Sequence, residues 1–292
     1  MKQKFNSTDL KNLLQKMMDI ANDSPTYEKL AHYIEKNYLR MIFMTAGEVA
    51  HEANISQGSV SRFCRALGYY GFNDFLRSLQ KFVSEEIAAP QRLQYLSQNK
   101  SNNKIRSILN REHKNIDELE AILSQPAYTQ LVGKLATAPE IVLLSARMSA
   151  TLLPYAAYIL NKIRNNVVQL QPGNPLWDTV HLRQPDTTLI FTLAFPRYPT
   201  MLVSKMQELK QEGFTIAAIT DSMVSPVSYL ADLVLLVPIT ISSIFDIYST
   251  PMLLLNFLLR DVAQKIEGLE QRLDRLETME AKNRSYYKQL ME

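Results

Sequence analysis

Thr45-Ala46-Gly47-Glu48-Val49-Ala50-His51-Glu52-Ala53-Asn54-Ile55-Ser56-Gln57-Gly58-Ser59-Val60-Ser61-Arg62-Phe63-Cys64-Arg65-Ala66-Leu67 is the stretch on which the reading turns. Thr45 to Glu48 has the S/T-x-x-E form of a capping box, in which hydroxyl and carboxylate each satisfy an orphan backbone N–H, so a helix starts at Thr45. Ser56 caps a second helix that runs to about Leu67, and Gly68 ends it as the C′ residue. Ala50 falls where the two helices must approach closely. Asn54, four residues later, falls at the turn, where a left-handed backbone is needed and Asn tolerates it. Val60, Ile55 and Phe63 supply the apolar contacts. The spacing is that of a helix-turn-helix. Its second helix is expected to expose Gln57, Ser59, Ser61, Arg62 and Arg65, a set of hydroxyls, amide and guanidiniums that suits a DNA major groove. Gln57 and Ser59 would lie nearest base edges. Arg62 and Arg65 reach bases or phosphates, and Thr45 and Ser56 complete the expected DNA contacts. A helical pair on a solvated surface would share the generic part of this pattern. Cys64 reads as a small buried packing residue.

The flanking sequence is helical. Leu10, Leu13, Leu14, Met17 and Met18 recur at helical spacing, and Ser24-Pro25 opens a helix carrying Leu30, Ile34 and Tyr38. A further helix is expected from about Asn73 to Glu86, with Phe75, Leu76, Leu79 and Phe82 on one face. Ala88 to Asn103 is polar and proline-punctuated. The expected organisation is an all-α domain over 1–88, a linker over 89–103 and a second domain over 104–292, which opens with a long polar helix over about 104–123. From Glu140 the period changes. Short continuous apolar runs appear at Ile141–Leu144, Val167–Val168, Thr188–Leu193, Ile216–Ile219 and Leu233–Val237, as strands covered on both faces should read. Amphipathic segments lie between them, over Thr151–Arg164, Thr200–Glu212 and Val224–Leu230. That alternation predicts a doubly wound parallel α/β sheet. Pro251 to Gln264 is a strongly apolar helix, and Ile266, Leu269, Leu273, Leu276 and Met279 continue a stripe that either contacts a second copy or packs on its own domain.

Composition narrows the classes. The 292 residues suit two domains, and 46% hydrophobic content argues against wholesale disorder. A lone cysteine excludes a disulfide framework and a multi-cysteine metal site. With 8 glycines and no Gly-rich phosphate fingerprint, dinucleotide and P-loop chemistry are not expected, and no cofactor or metal is. The N-terminus lacks a signal-peptide core, and the longest apolar run is too short to span a bilayer, so no membrane partner and a cytoplasmic setting are expected. Residues 1–115 carry 17 basic against 11 acidic side chains, residues 116–292 carry 15 against 18. An anionic partner is therefore expected for the first part only.

Ser56-Gln57-Gly58-Ser59-Val60-Ser61-Arg62-Phe63-Cys64-Arg65-Ala66-Leu67-Gly68-Tyr69-Tyr70-Gly71-Phe72 resembles the signature of RpiR/MurR-type bacterial transcription regulators. The R-F-x-R-x-L-G-Y-x-G-F part carries the specificity, and Gly58 departs from a pattern that usually has a small helix former there. The resemblance implies an N-terminal helix-turn-helix and a C-terminal SIS (sugar isomerase) domain, a five-stranded parallel sheet between helices. Ligands of such sheets bind beyond the strand C-termini. Three segments fall there: 145–149, 192–200 and 220–222. Phosphosugar-binding SIS domains typically place glycine and serine in the first and an S-x-S-G-x-T-like loop in the second. Here the first has Ala146 and Arg147, the second reads F-P-R-Y-P, and neither keeps a glycine. A small anionic effector, of the sugar-phosphate or sugar-acid class, is expected on the guanidinium forks of Arg147 and Arg197 with Tyr198 and the hydroxyls of Ser149 and Thr200. Ser145, Thr192 and Asp221 complete the expected effector-binding set. Two rivals stay open: an SIS-fold isomerase, for which His181, Asp221 and Asp246 are the available bases or carboxylates, and a ligand-free dimerisation scaffold on a DNA reader. The regulator is expected to be a homodimer or tetramer that places two recognition helices on a double-stranded operator.

Overall fold

The computed structural model describes residues 7–42, 44–84, 93, 103–223, 225–240 and 245–285. The expected linker over 89–103 lies almost wholly outside them. The chain divides into two compact units, Met1–His113 with Thr240–Ile247, and Lys114–Ile239 with Tyr248–Glu292.

The first unit is helical: α1 (Ser7–Ala21), α2 (Pro25–Met41), α3 (Ala46–Glu52), α4 (Gln57–Ala66) and α5 (Phe72–Ser84). Its core takes Leu13 and Met17 from α1, Leu30 and Ile34 from α2, Val49 and Ala50 from α3, Val60 and Phe63 from α4, and Phe75 and Leu79 from α5. Apart from Ala50, each such burial is worth about 1.5–3 kcal/mol, so the helices are held by packing more than by propensity. Phe63 is central, with its ring edge-on to Tyr27 at 5.2 Å.

The long polar helix expected over 104–123 is two helices, α6 (Asn103–Asp117) and α7 (Leu119–Leu123), separated at Glu118. Then follow α8 (Pro126–Thr137), β1 (Glu140–Leu144), a 3-10 turn (Arg147–Leu152), α9 (Leu153–Ile163), β2 (Val167–Leu170), a second 3-10 turn (Trp177–Leu182), β3 (Thr188–Leu193), α10 (Thr200–Gln211), β4 (Thr215–Thr220), α11 (Pro226–Leu230), β5 (Leu233–Leu236), α12 (Ser249–Ala263) and α13 (Leu269–Lys282). The helix expected to start at Thr151 therefore starts at Leu153, and the one expected at Val224 starts at Pro226, after the Ser225 cap.

The strands form one parallel sheet in the order β2-β1-β3-β4-β5. Ile141, Leu143, Leu189, Phe191 and Ile219 face α8, α9 and α12. Val142, Leu144, Ile190, Ile216 and Ala218 face α10, α11 and the second 3-10 turn. Burial on both faces is what turned the strands into continuous apolar runs. The chain leaves β1 toward β2 on one side and reaches β3 on the other, so the C-terminal ends of β1 and β3 form the topological switch point where such sheets open a crevice. Arg272 of α13 donates to the carbonyls of Asn161, Lys162 and Arg164 at the end of α9. That capping docks α13, whose Leu273 and Met279 stay exposed.

Candidate functional site

The helix-turn-helix is built from local signals. Thr45 Oγ1 accepts from the Glu48 N–H and Glu48 Oε2 accepts from the Thr45 N–H at 2.6 Å, a complete capping box at the start of α3. Asn54 takes φ +51 in the turn; its N–H bonds His51 O and the Ile55 N–H bonds Ala50 O. This pair of reverse bonds is a Schellman closure with Asn in the left-handed position. Ser56 caps α4 by accepting from the Ser59 N–H at 3.1 Å. Gly68, at φ +95, ends α4 with the same closure.

One expectation about this helix is corrected. Ser59 is not exposed; it is 9% accessible, on the side of Val60 and Phe63. Its hydroxyl sits 2.9 Å from Ser56 Oγ and accepts from Arg62 Nη2 at 3.0 Å. Ser59 therefore fixes Arg62 instead of reaching outward. Gln57, Arg62 and Arg65 are exposed and Ser61 half-buried. Gly58, the residue that departs from the family pattern, lies at the centre of that outer face. Arg65 Nε reaches the Tyr70 carbonyl at 3.5 Å, and Tyr70, almost fully exposed, continues the surface. Burial pushes the Cys64 thiol up to about 12, which keeps it protonated and chemically quiet.

At the sheet's C-terminal edge three loops are tied together. Ser145 Oγ donates to Leu193 O at 2.5 Å, and the Phe195 N–H donates to Ser149 Oγ at 3.2 Å, joining the loop after β1 to that after β3. Tyr198 OH donates to Asp221 Oδ1 at 2.5 Å, joining the loop after β3 to that after β4. Burial first, then the Asp221 carboxylate, holds the Tyr198 phenol well above its ordinary range, so it stays a donor. Ser149 Oγ also lies 3.3 Å from Tyr248 OH, and the Tyr248 ring packs on Phe195 at 5.0 Å. Tyr248 comes from about fifty residues beyond, and nothing in its own neighbourhood signalled it.

The expected effector residues separate into two sets. Ser145, Ser149 and Thr192 are buried beneath the loops, and Tyr198 and Asp221 bond each other. Arg147, Arg197 and Thr200 are exposed on them. Both arginines have left-handed backbones, φ +57 and +58, a conformation that costs an ordinary side chain about 1 kcal/mol. The glycine conformation is thus present at both loops without the glycine. Strain of this kind persists where surrounding structure enforces it, typically at ligand sites.

Of the groups named for the enzyme reading, Asp221 is the carboxylate bonded to Tyr198, and His181 lies elsewhere. His181 Nδ1 meets Glu212 at 2.7 Å and Nε2 meets Lys205 Nζ at 2.7 Å. Burial alone would lower the Lys205 pKa, but bonds to Asp178 and Glu208 outweigh it and keep the ammonium charged. Both imidazole nitrogens are therefore engaged. The cluster sits along α10 toward Glu212, whereas the loops gather at the opposite, Thr200 end. Among the described residues no group of His, Cys, Asp and Glu can hold a metal ion, and no helix is long and apolar enough to cross a membrane.

An exposed helix-turn-helix face and a five-stranded parallel sheet with a loop-rimmed switch point define a two-domain protein of the helix-turn-helix–SIS class. Residues 8–86 match the helix-turn-helix domain of the rpiR family and residues 134–260 match the SIS domain; the chain is a transcriptional regulator of the RpiR family. It is 24% identical, over 79% of its length and 80% of the relative's, to an uncharacterised HTH-type transcriptional regulator of Caldanaerobacter subterraneus subsp. tengcongensis. Its fold is shared by Vibrio vulnificus NanR, solved in complex with ManNAc-6P (TM-score 0.54, 16% identity, 93% of this chain and 99% of that one). The sugar isomerase domain of an RpiR transcription factor from Sphaerobacter thermophilus also matches (TM-score 0.53, 21% identity, 63% of this chain and 99% of that one).

Proposed function

We propose that the chain binds operator DNA through the outer face of α4 and that a small anionic metabolite at the β1–β3 switch point sets that affinity. The observation that carries the sensing half is the pair of exposed, left-handed arginines on two loops joined by the Ser149–Phe195 bond. Two guanidinium forks at a sheet's switch point suit a phosphate or carboxylate. The fold shared with NanR, solved with ManNAc-6P, makes phosphorylated sugars and sugar acids the first classes to try. Against turnover stands His181, with both nitrogens engaged at the far end of α10.

On DNA, Gln57, Ser61 and Arg65 are the base-reading residues, while Arg62, held by Ser59, and the capped helix starts at Thr45 and Ser56 position the backbone. An effector that prefers one arrangement of a two-fold assembly then shifts the population of DNA-competent molecules.

The test begins with sequencing DNA recovered with the protein from its host, which supplies the operator. Fluorescence anisotropy on that operator is then expected to show Arg65→Ala weakening binding tenfold to a hundredfold, about 1–3 kcal/mol, with sequence preference relaxed. Retained affinity and specificity in that variant refute the assignment of α4. A sugar phosphate or sugar acid is expected to shift operator affinity in wild type and not in Arg147→Ala/Arg197→Ala.

A further inference from the structure

Tyr69 and Tyr70 are the same side chain in adjacent positions, and the first unit's core uses only one of them. The Tyr69 ring packs edge-on to Phe75 at 5.3 Å and joins that core. Tyr70 is 94% accessible, so its phenol takes no part in it. Its backbone is nevertheless fixed. The Tyr69 N–H donates to Cys64 O at 3.0 Å, the Tyr70 N–H donates to Asp74 Oδ2 at 3.0 Å, and Arg65 Nε donates to the Tyr70 carbonyl at 3.5 Å. The loop is tied to α4 behind it and to α5 ahead of it. Isolated exposed rings are ordinary on a surface. This one is set apart by the bond that joins it to Arg65. An amphipathic ring held out from a fixed backbone, with only two side-chain torsions to order, makes a contact at small entropic cost.

The length of α4 indicates what that contact is. Its ten residues, Gln57–Ala66, make a helix about 15 Å long, whereas the major groove is about 12 Å wide. With Gln57 and Ser61 at base edges, the C-terminal end of α4 lies at the groove wall, which is sugar-phosphate. Helical side chains lean toward the helix N-terminus, so Arg65 reaches back over the bases. Tyr70, beyond the helix end, stays at the wall. With Nε engaged by the Tyr70 carbonyl, Arg65 keeps both terminal nitrogens for a guanine. The neighbouring carboxylate, Asp74, is engaged by the Tyr70 N–H. Tyrosine hydroxyls are regular donors to DNA phosphate oxygens.

We propose that Tyr70 is a DNA-backbone anchor: its hydroxyl donates to a phosphate oxygen at the wall of the groove that α4 enters, fixing the helix in register without reading sequence. This rests on the α4 reading above and adds a contact outside that helix.

Fluorescence anisotropy of the full-length protein tests it on two duplexes, the recovered operator and a random-sequence duplex of equal length. Tyr70→Phe, which removes only the hydroxyl, is expected to weaken both by the same factor, about threefold to tenfold, the range of one net hydrogen bond. The slope of affinity against salt should stay unchanged, because no cation is lost. Operators carrying a single neutral methylphosphonate, moved along the flank, locate the partner: one position should weaken wild type more than Tyr70→Phe, by the variant's own factor. Thermal unfolding of the variant should match wild type, since the ring lies outside the core. If Tyr70→Phe binds both duplexes like wild type, or if no methylphosphonate position distinguishes the two proteins, the anchor is overturned. If the variant weakens the operator alone, Tyr70 reads a base and the phosphate assignment is overturned. If the loss tracks a lower oligomer mass by light scattering, Tyr70 is a subunit contact and the inference is overturned. If Arg65→Ala keeps full operator affinity and preference, the α4 reading itself falls, and the anchor with it.

Discussion

Left-handed backbone recurs along this chain, at Asn166, Gly173, Gly213, Gly268 and Arg284 as well as in the helix-turn-helix and at the sheet's C-terminal edge, and those last two regions use it in opposite ways. In the helix-turn-helix, the residues at positive φ are Asn54 and Gly68, both suited to it, and each closes a helix with paired reverse hydrogen bonds. At the sheet's C-terminal edge the residues are Arg147 and Arg197, which are not suited to it and stand exposed. The first arrangement lowers the energy of a fixed scaffold. The second holds charge in place at the expense of stability, which marks a surface shaped for something other than folding.

The largest effect that could break this comparison is at the turn. Asn54→Val puts a β-branched side chain at φ +51 and is expected to destabilise the first unit by about 2 kcal/mol, with Asn54→Gly near neutral. Urea unfolding followed by circular dichroism reads both. Equal stability of the two variants would show that the turn does not require the left-handed residue.

A smaller effect sharpens the other side. Arg197→Ala removes the charge and keeps the strained backbone, whereas Arg197→Gly removes both. The Gly variant is expected to be more stable than the Ala variant by about 0.5–1 kcal/mol, because relief of the left-handed penalty outweighs the entropy of glycine in the unfolded chain. Both should lose anion binding. A Gly variant that is the less stable of the two would mean that Arg197 carries no stored strain.

The same contrast explains what was legible from residues alone. The capping box, Asn54, Gly68 and the continuous apolar strands are local signals, and the structure reproduces them. The break at Glu118 has neither proline nor glycine to announce it. The positive φ of Arg147 and Arg197 is invisible because arginine gives no hint of that conformation; surrounding loops impose it. Ser59 was misread by chemistry: its hydroxyl suggested DNA, but its place four residues before Phe63 puts it on the inner face of α4. Tyr248 reaches the site only through the tertiary fold.

The smallest effect concerns Gly58, where no reason inside the protein accounts for glycine. Its φ is not left-handed, and a Cβ there would meet only the end of the Arg62 side chain at 3.4 Å and Ser56 Oγ at 3.8 Å. Glycine nevertheless weakens a helix relative to alanine, by up to about 1 kcal/mol in an interior. It faces outward between Ser61, Arg62 and Arg65, on the side opposite Val60 and Phe63, so the missing Cβ opens room outside the molecule. Gly58→Ala is therefore expected to raise unfolding stability by about 0.5 kcal/mol and to weaken operator binding on the order of tenfold, the size of one lost base contact. Thermal unfolding and anisotropy on the recovered operator measure the two together. A variant that gains stability with undiminished affinity would show that α4 does not press its Gly58 face against DNA, and would return the recognition surface to the Gln57 and Arg65 flanks alone.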